Sequence, residues 1–448
     1  MSFQQHQNRR TSRPRRLRRT VLASAALIAP LALSACGGAQ PGGAGGDNGE
    51  GGFSAWTLTG SQQDAFQASF DAWNEANPEQ QISSEFFAND AYKEKIRTAV
   101  GAGNAPTLIF NWSGGTLADY VANGNVVDLT GHVDDLEERA IEAIEKGGEV
   151  DGKQYAVPNN STQPVVLYIN EKLFDQVGVE PPTTWEETLE VVEAFKAEGI
   201  TPFAVAGQSQ WPYLMWIQYL TDRIGGPEVF NAIANNEPDA WSHPAVAEAL
   251  TKIQELVDAG GFGDSFGSVV ADANADAALV HTDKAAMLLQ GSWVYAGFKA
   301  DAPEWYEEGN LGFAPFPTIA GGAGDPANIV GNPANFWAVS ADASEEAQQA
   351  AFDYLNEYTL NEESIDEFIS LGLVPSTDGA EEAIAASEDA DFLEYAYSMV
   401  QDAPNFQLSW DQALAPDQAQ ELLTNLSQIF QGSITPDQFV ENMNATIK

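Results

Sequence analysis

Asp283-Lys-Ala-Ala-Met-Leu-Leu-Gln-Gly-Ser-Trp-Val-Tyr-Ala-Gly-Phe298 is the stretch on which the fold reading turns. Ala285 to Leu289 is an apolar run with no helical spacing of polar positions, and Gly291 closes it, which is the pattern of a buried strand. Ser292 then suits an N-cap, with Trp293 opening a helix at the C-terminal end of that strand. Ligands of open α/β sheets bind at that edge. An indole there offers a flat apolar face and one N–H donor, which suits a sugar ring with C–H groups on one side and hydroxyls around its rim. The competing reading is an indole that plugs the core at a strand end.

Elsewhere the same pattern recurs. Ala55 to Thr59, Gln81 to Phe87 and Thr107 to Phe110 read as strands separated by two helices, the first opened by a capping box at Ser61-Gln-Gln-Asp64 and carrying Phe66, Phe70 and Trp73 on one face. This βαβαβ order makes a parallel sheet with flanking helices. Asn111-Trp-Ser-Gly-Gly115 follows the third strand, and Gly207-Gln-Ser-Gln-Trp211 follows a strand at Pro202 to Ala206, each an aromatic and polar turn before a helix. Val165 to Asn170, Leu311 to Thr318 and Asn335 to Val339 read as further strands, and Gln407-Leu-Ser-Trp-Asp-Gln412 precedes two terminal helices. No repeat is present.

Residues 1 to 35 hold seven Arg and no acid and end in an apolar stretch from Val21 to Ala35, the form of a secretory signal. At about 15 residues, interrupted by Pro30, that stretch falls short of the roughly 20 a spanning helix needs. Leu33-Ser-Ala-Cys36 resembles a lipobox, and Cys36, the single cysteine, is expected to be lipidated. Arg18-Arg19 also permits a twin-arginine route. Gly37 to Gly52 holds nine glycines and no large apolar residue, so residues 36–52 form a tether reaching roughly 20–24 Å.

The remaining 13 basic residues face 65 acidic ones, a net charge of about −52. Nucleic acid is excluded as a partner, because phosphate binding needs a basic surface. With only Arg97, Arg139 and Arg223 left to clamp an anion, a neutral ligand is favoured. From Phe53 onward there are 396 residues, enough for two domains. Four His with no metal-ligand spacing point to no metal, and no Gly-x-Ser-x-Gly, P-loop or dinucleotide fingerprint calls for a cofactor or an enzyme. Sixty-five acids make carboxylate pairs inevitable by chance, so no spacing identifies a glycosidase.

Asp151-Gly-Lys-Gln-Tyr-Ala-Val-Pro158, Leu167-Tyr-Ile-Asn-Glu-Lys-Leu-Phe174, Pro181-Pro-Thr-Thr-Trp-Glu-Glu187 and Gly291-Ser-Trp293 together resemble an extracellular solute-binding protein of family 1. These are the maltose-binding-protein-like receptors of ABC sugar importers, and the likeness is to those for oligosaccharides. The resemblance covers essentially all of the mature chain. It implies the α/β type II periplasmic-binding-protein fold, with two lobes joined by a multi-crossover hinge around a ligand cleft. Residues 53–166 plus 311–357 are assigned to one lobe, 167–310 plus 358–448 to the other.

It also carries Trp112, Trp293 and Trp410 to ligand-contact positions, Trp112 from one lobe and the other two from its partner lobe. Asn111, Asn159, Ser161, Trp211, Asn332 and Asp411, from the same polar and aromatic turns, are further candidates. Pro333 departs from a glycine run of many relatives, which leaves the sugar's length and identity open. The implied partners are an oligosaccharide, the permease subunits of an importer and the membrane through the lipid anchor. The protein is expected to be a monomer that closes on its ligand and presents the closed form to the transporter. The rival readings are a receptor for a polyamine or other cation, using the aromatics with carboxylates such as Asp411, and a secreted carbohydrate-active enzyme.

Overall fold

In the computed structural model, which describes residues 52–447, two sheets each collect strands from distant parts of the chain. The signal, Cys36 and the glycine tether lie outside the described residues. The first sheet begins with β1 (Phe53–Leu58), α1 (Gln63–Ala76), β2 (Ile82–Phe87), α2 (Asn89–Gly101) and β3 (Leu108–Asn111). β1 pairs in parallel with β2 on one side and β3 on the other, the arrangement expected of the βαβαβ order. α1 buries Phe66, Phe70 and Trp73, whose helical spacing places them on the sheet face. α3 (Gly115–Ala122) and β4 (Ala156–Pro158) follow.

The second sheet is centred on β5 (Gln163–Asn170), every residue of which is buried. β6 (Thr201–Ala204), β7 (Ala285–Gly291), β8 (Leu311–Ala314), β9 (Ile329–Asn332) and, after β10 (Phe336–Val339), β11 (Phe406–Leu408) complete the set. β10 returns to the first sheet, antiparallel between β3 and β4. The second sheet runs β11-β9-β5-β7-β6, with β8 also beside β5. α4 (Trp185–Ala197) opens with the capping box of Thr184 and Glu187, as its sequence requires. α5 (Leu214–Gly225), α6 (Pro244–Asp258), α7 (Val294–Asp301), α8 (Glu345–Tyr358), α9 (Trp410–Ala413) and α10 (Pro416–Phe430) cover the sheets. Separate apolar cores form around the two sheets.

The expected lobe boundaries move. Val165 and Val166 already lie opposite Gly291 and Gln290, and residues 311–314 pair with β5, so 311–332 belongs to the second sheet. The return to the first sheet comes at Phe336. A strand buried along its whole length needs ladder partners on both sides: β7 lies along one, and β8 and β9 share the other. Two expected caps also differ. Ser292 caps no helix: its hydroxyl donates to the Thr162 carbonyl at 3.2 Å, and Trp293 precedes α7 in helical geometry. Ser61 leaves α1 without a side-chain cap and donates instead to the Trp293 carbonyl at 3.4 Å.

Where the chain passes between sheets, two crossing segments are tied side by side. Asn160 Oδ1 accepts from the Asn335 backbone N–H at 3.0 Å, and Asn160 Nδ2 donates to Asn335 Oδ1 at 2.9 Å. Gln163 Nε2 donates to the same oxygen at 2.8 Å. A third segment joins them, since Thr162 N–H donates to the Val374 carbonyl at 2.8 Å and Ser376 Oγ donates to the Asn160 carbonyl.

Candidate functional site

A cleft with about 1140 Å3 of atom-free space, open solvent at its mouth included, lies where the two sheets face each other across the crossing segments. The first lobe lines it with the turn after β1, from Leu58 to Gln62, with Asn89 and Lys93 of α2, and with Trp112. The second lobe contributes Trp211, Met215, Asp272, Asn274 and Trp293, and Ser409, Asp411 and Gln412 beside α9. Gln163, Asn332 and Asn335 of the crossing segments also line it.

Trp293 owes its position to the residue two before it. A Cβ built on Gly291 would stand 1.8 Å from Trp293 Cζ3, so the indole folds back over the end of β7 and only a glycine leaves room. Gln290 supports this strand end: Gly291 N–H donates to Gln290 Oε1 at 3.1 Å, and Gln290 Nε2 donates to Asp276 Oδ2 at 3.0 Å. Burial pushes the Asp276 carboxyl up, against the hydrogen bonds it accepts from Gln290 and Ala277. Trp211 stands beside Trp293, ring centres 6.0 Å apart and planes tilted by 48°. On the facing wall Trp112 packs edge-on against Phe110 and Tyr92. Its Gly114-Gly115 turn is a place of close approach, since a Cβ on Gly115 would lie 2.0 Å from the Leu414 carbonyl oxygen.

The charges of the cleft are largely matched within the protein. Lys93 Nζ lies 3.7 Å from Asp411 Oδ2 and 5.0 Å from the centre of the Trp112 ring. Asp272 accepts the Asp90 backbone N–H. Its carboxyl is raised, by burial first and by the charge of Asp90, while that N–H and Lys93 pull the other way. Trp211 Nε1, Asn332 Oδ1 and Gln412 Oε1, all on lining residues, are buried without a protein hydrogen-bond partner. One donor and two acceptors therefore stand ready for a ligand with hydroxyls.

Five of the expected residues, Trp112, Trp211, Trp293, Asn332 and Asp411, meet at this cleft. Four do not line it. Trp410 is fully buried, stacked on Phe230 at 4.6 Å with parallel rings, edge-on to Trp241, and its Nε1 donates to Gln407 Oε1 at 2.7 Å. It is a core residue of the second lobe. Leu414, Leu422 and Leu426 share that core with it, although the chain is extended at Leu414 and Ala415 between α9 and α10. Asn111, Asn159 and Ser161 are buried outside the lining, each with side-chain polar atoms that have no protein partner.

Lys93, Asp272, Gln163 and Gln412 line the cleft without having been singled out from the sequence. Only the scarcity of cations after residue 52 could have flagged Lys93. Asp272 stands among acids too numerous for any one to be distinctive.

Residues 59–365 match the family model of the bacterial extracellular solute-binding proteins. A probable sugar-binding periplasmic protein of Rhizobium meliloti (strain 1021) is 28% identical over 208 residues, 45% of this chain and 48% of that protein. The xylose/arabinose-binding protein of Haloferax volcanii is 28% identical over 275 residues, 58% of this chain and 57% of that one. The chain thus spans about half the length of the curated relatives it matches. A solved structure from work on xylan utilization by the thermophilic bacterium Caldanaerobius polysaccharolyticus matches with a TM-score of 0.79 at 29% identity, covering 89% of this chain and 100% of that chain.

The Gly291 contact predicts that Gly291→Ala displaces the Trp293 indole. Fluorine NMR of fluorotryptophan-labelled protein should show the resonance that disappears in Trp293→Phe shifted in Gly291→Ala, while those of Trp73 and Trp337 in the first lobe hold. An unshifted Trp293 resonance contradicts the packing argument.

Proposed function

The chain belongs to the bacterial extracellular solute-binding proteins, and from that premise we propose that it captures an oligosaccharide in the cleft and delivers it to the permease subunits of an ABC importer. The observation that carries this reading is that indoles from opposite lobes, Trp112 and Trp293, line one cleft together with unpartnered amide and indole polar atoms. Apolar faces for the C–H side of a sugar and hydrogen-bonding groups for its rim are what a neutral polyhydroxylated ligand needs. Two relatives are described by xylose/arabinose binding and by xylan utilization, so xylan fragments are the first ligands to try. The cation reading relied on Asp411, and Lys93 already faces that carboxylate.

In the same proposal Cys36 carries a lipid anchor, the protein works as a monomer on the outer face of the cell membrane, and the glycine-rich segment lets it turn there. No helix of the described residues is long and apolar enough to cross a membrane. Cys36→Ala should move the protein from the membrane fraction to the soluble exported fraction. An unchanged distribution contradicts the anchor.

Thermal melting against a panel of xylan-, chitin- and starch-derived oligosaccharides and two polyamines tests the ligand class, because a ligand that binds only the native state raises the midpoint. A rise with one oligosaccharide series is expected. Trp293→Ala should then weaken that binding by about 2 kcal/mol with an unchanged far-UV spectrum. A rise with polyamines alone, or full affinity in Trp293→Ala, contradicts the reading.

A further inference from the structure

Besides the crossing segments, polar contacts join the two lobes across the mouth of the cleft, and two of them converge on α2. The helix starts after Ala88, which is extended and has no side-chain acceptor to cap it. The acceptor comes from the other lobe. Asp90 N–H points at the Asp272 carboxylate, 3.2 Å from Oδ1 and 3.3 Å from Oδ2. One turn further on, Lys93 faces Asp411, again of the other lobe, at 3.7 Å. The Asp411 side chain is 10% exposed and that of Lys93 29%. Lys93 is the only cation among the described residues that line the cleft.

A carboxylate at a helix N-terminus gains from the unsatisfied N–H groups and from the aligned peptide dipoles; at Asp272 that gain works against burial and the neighbouring Asp90 charge, which raise its carboxyl, while Lys93 adds to it. Partial burial protects both contacts from the screening that weakens surface pairs. Any rotation that widens the cleft draws Asp272 from α2 and Asp411 from Lys93, so these contacts exist only when the lobes are together.

We propose that Asp272 and Asp411 are a latch that holds the lobes closed on each other, and that they set ligand affinity by stabilising the closed arrangement through α2. The proposal rests on the reading of the cleft as a site that closes on its ligand. The latch raises the fraction of molecules already in the binding-competent form, and apparent affinity rises in proportion. In a chain with a net charge of −45, it places the scarce positive groups of the cleft where opposing acidic surfaces must meet. Asp272 and Asp411 are thus positioning residues.

The test is small-angle X-ray scattering of the chain without ligand and saturated with the oligosaccharide found by melting, together with calorimetric titration, for the parent, Asp272→Asn and Asp411→Asn. The expected result is a larger ligand-free radius of gyration in both variants, recovery of the parent value at saturation, and a dissociation constant raised about tenfold in Asp272→Asn. Parent-like ligand-free dimensions overturn the latch, even where affinity falls, because that combination means the carboxylates contact the ligand only. The ligand-free comparison stands by itself, so a protein that binds none of the sugars tests the latch all the same while refuting the sugar reading.

Discussion

The reciprocal amide pair of Asn160 and Asn335 is the constraint on which the molecule's layout depends. Each side chain serves the other segment, through the 3.0 Å bond from the Asn335 backbone and the 2.9 Å bond between amides, and Gln163 adds a second donor to the same oxygen. All three residues are buried, so leaving any of these groups unpaired would cost about 1–3 kcal/mol. With the crossing segments pinned together, the ends of β3 and β7 are brought to opposite walls of one cleft. Trp112 and Trp293 face it because of where those strands end.

The second organising force is charge. A strongly acidic surface keeps the protein solvated and drives its lobes apart, and the cleft answers with a single lysine, a helix N-terminus and two carboxylates arranged across the gap. Among the lining residues, the buried side-chain polar atoms left without a protein partner are neutral: an indole N–H and two amide oxygens. Such a cleft suits a ligand that brings hydroxyls and no formal charge.

Much of this was legible in the sequence. Strand and helix periodicity gave the parallel βαβαβ start, the Thr184 capping box, the strand ending at Gly291 and the aromatic turns, because those features depend on neighbours close in the chain. Features set by distant neighbours were not legible. Ser61 and Ser292 carry the residue type of a cap, yet each donates to a carbonyl far along the chain. Leu311 to Thr318, read as a strand of the first lobe, ends as a strand at Ala314 and pairs with β5, since that pairing is a tertiary choice. Trp410 looked like Trp293 in its local setting and is held in the core by Phe230 and Trp241, 180 and 169 positions earlier. Lys93 and Asp272 gain their meaning only from the opposite lobe.

The most direct measurement is a crystal structure of the chain with the oligosaccharide that raises its melting point. The account predicts sugar rings within the cleft, contacting the indoles of Trp112 and Trp293 from opposite lobes, with hydroxyls bonded to Trp211 Nε1, Asn332 Oδ1 or Gln412 Oε1. A sugar bound elsewhere, or one touching a single lobe while the cleft stands open, would contradict it.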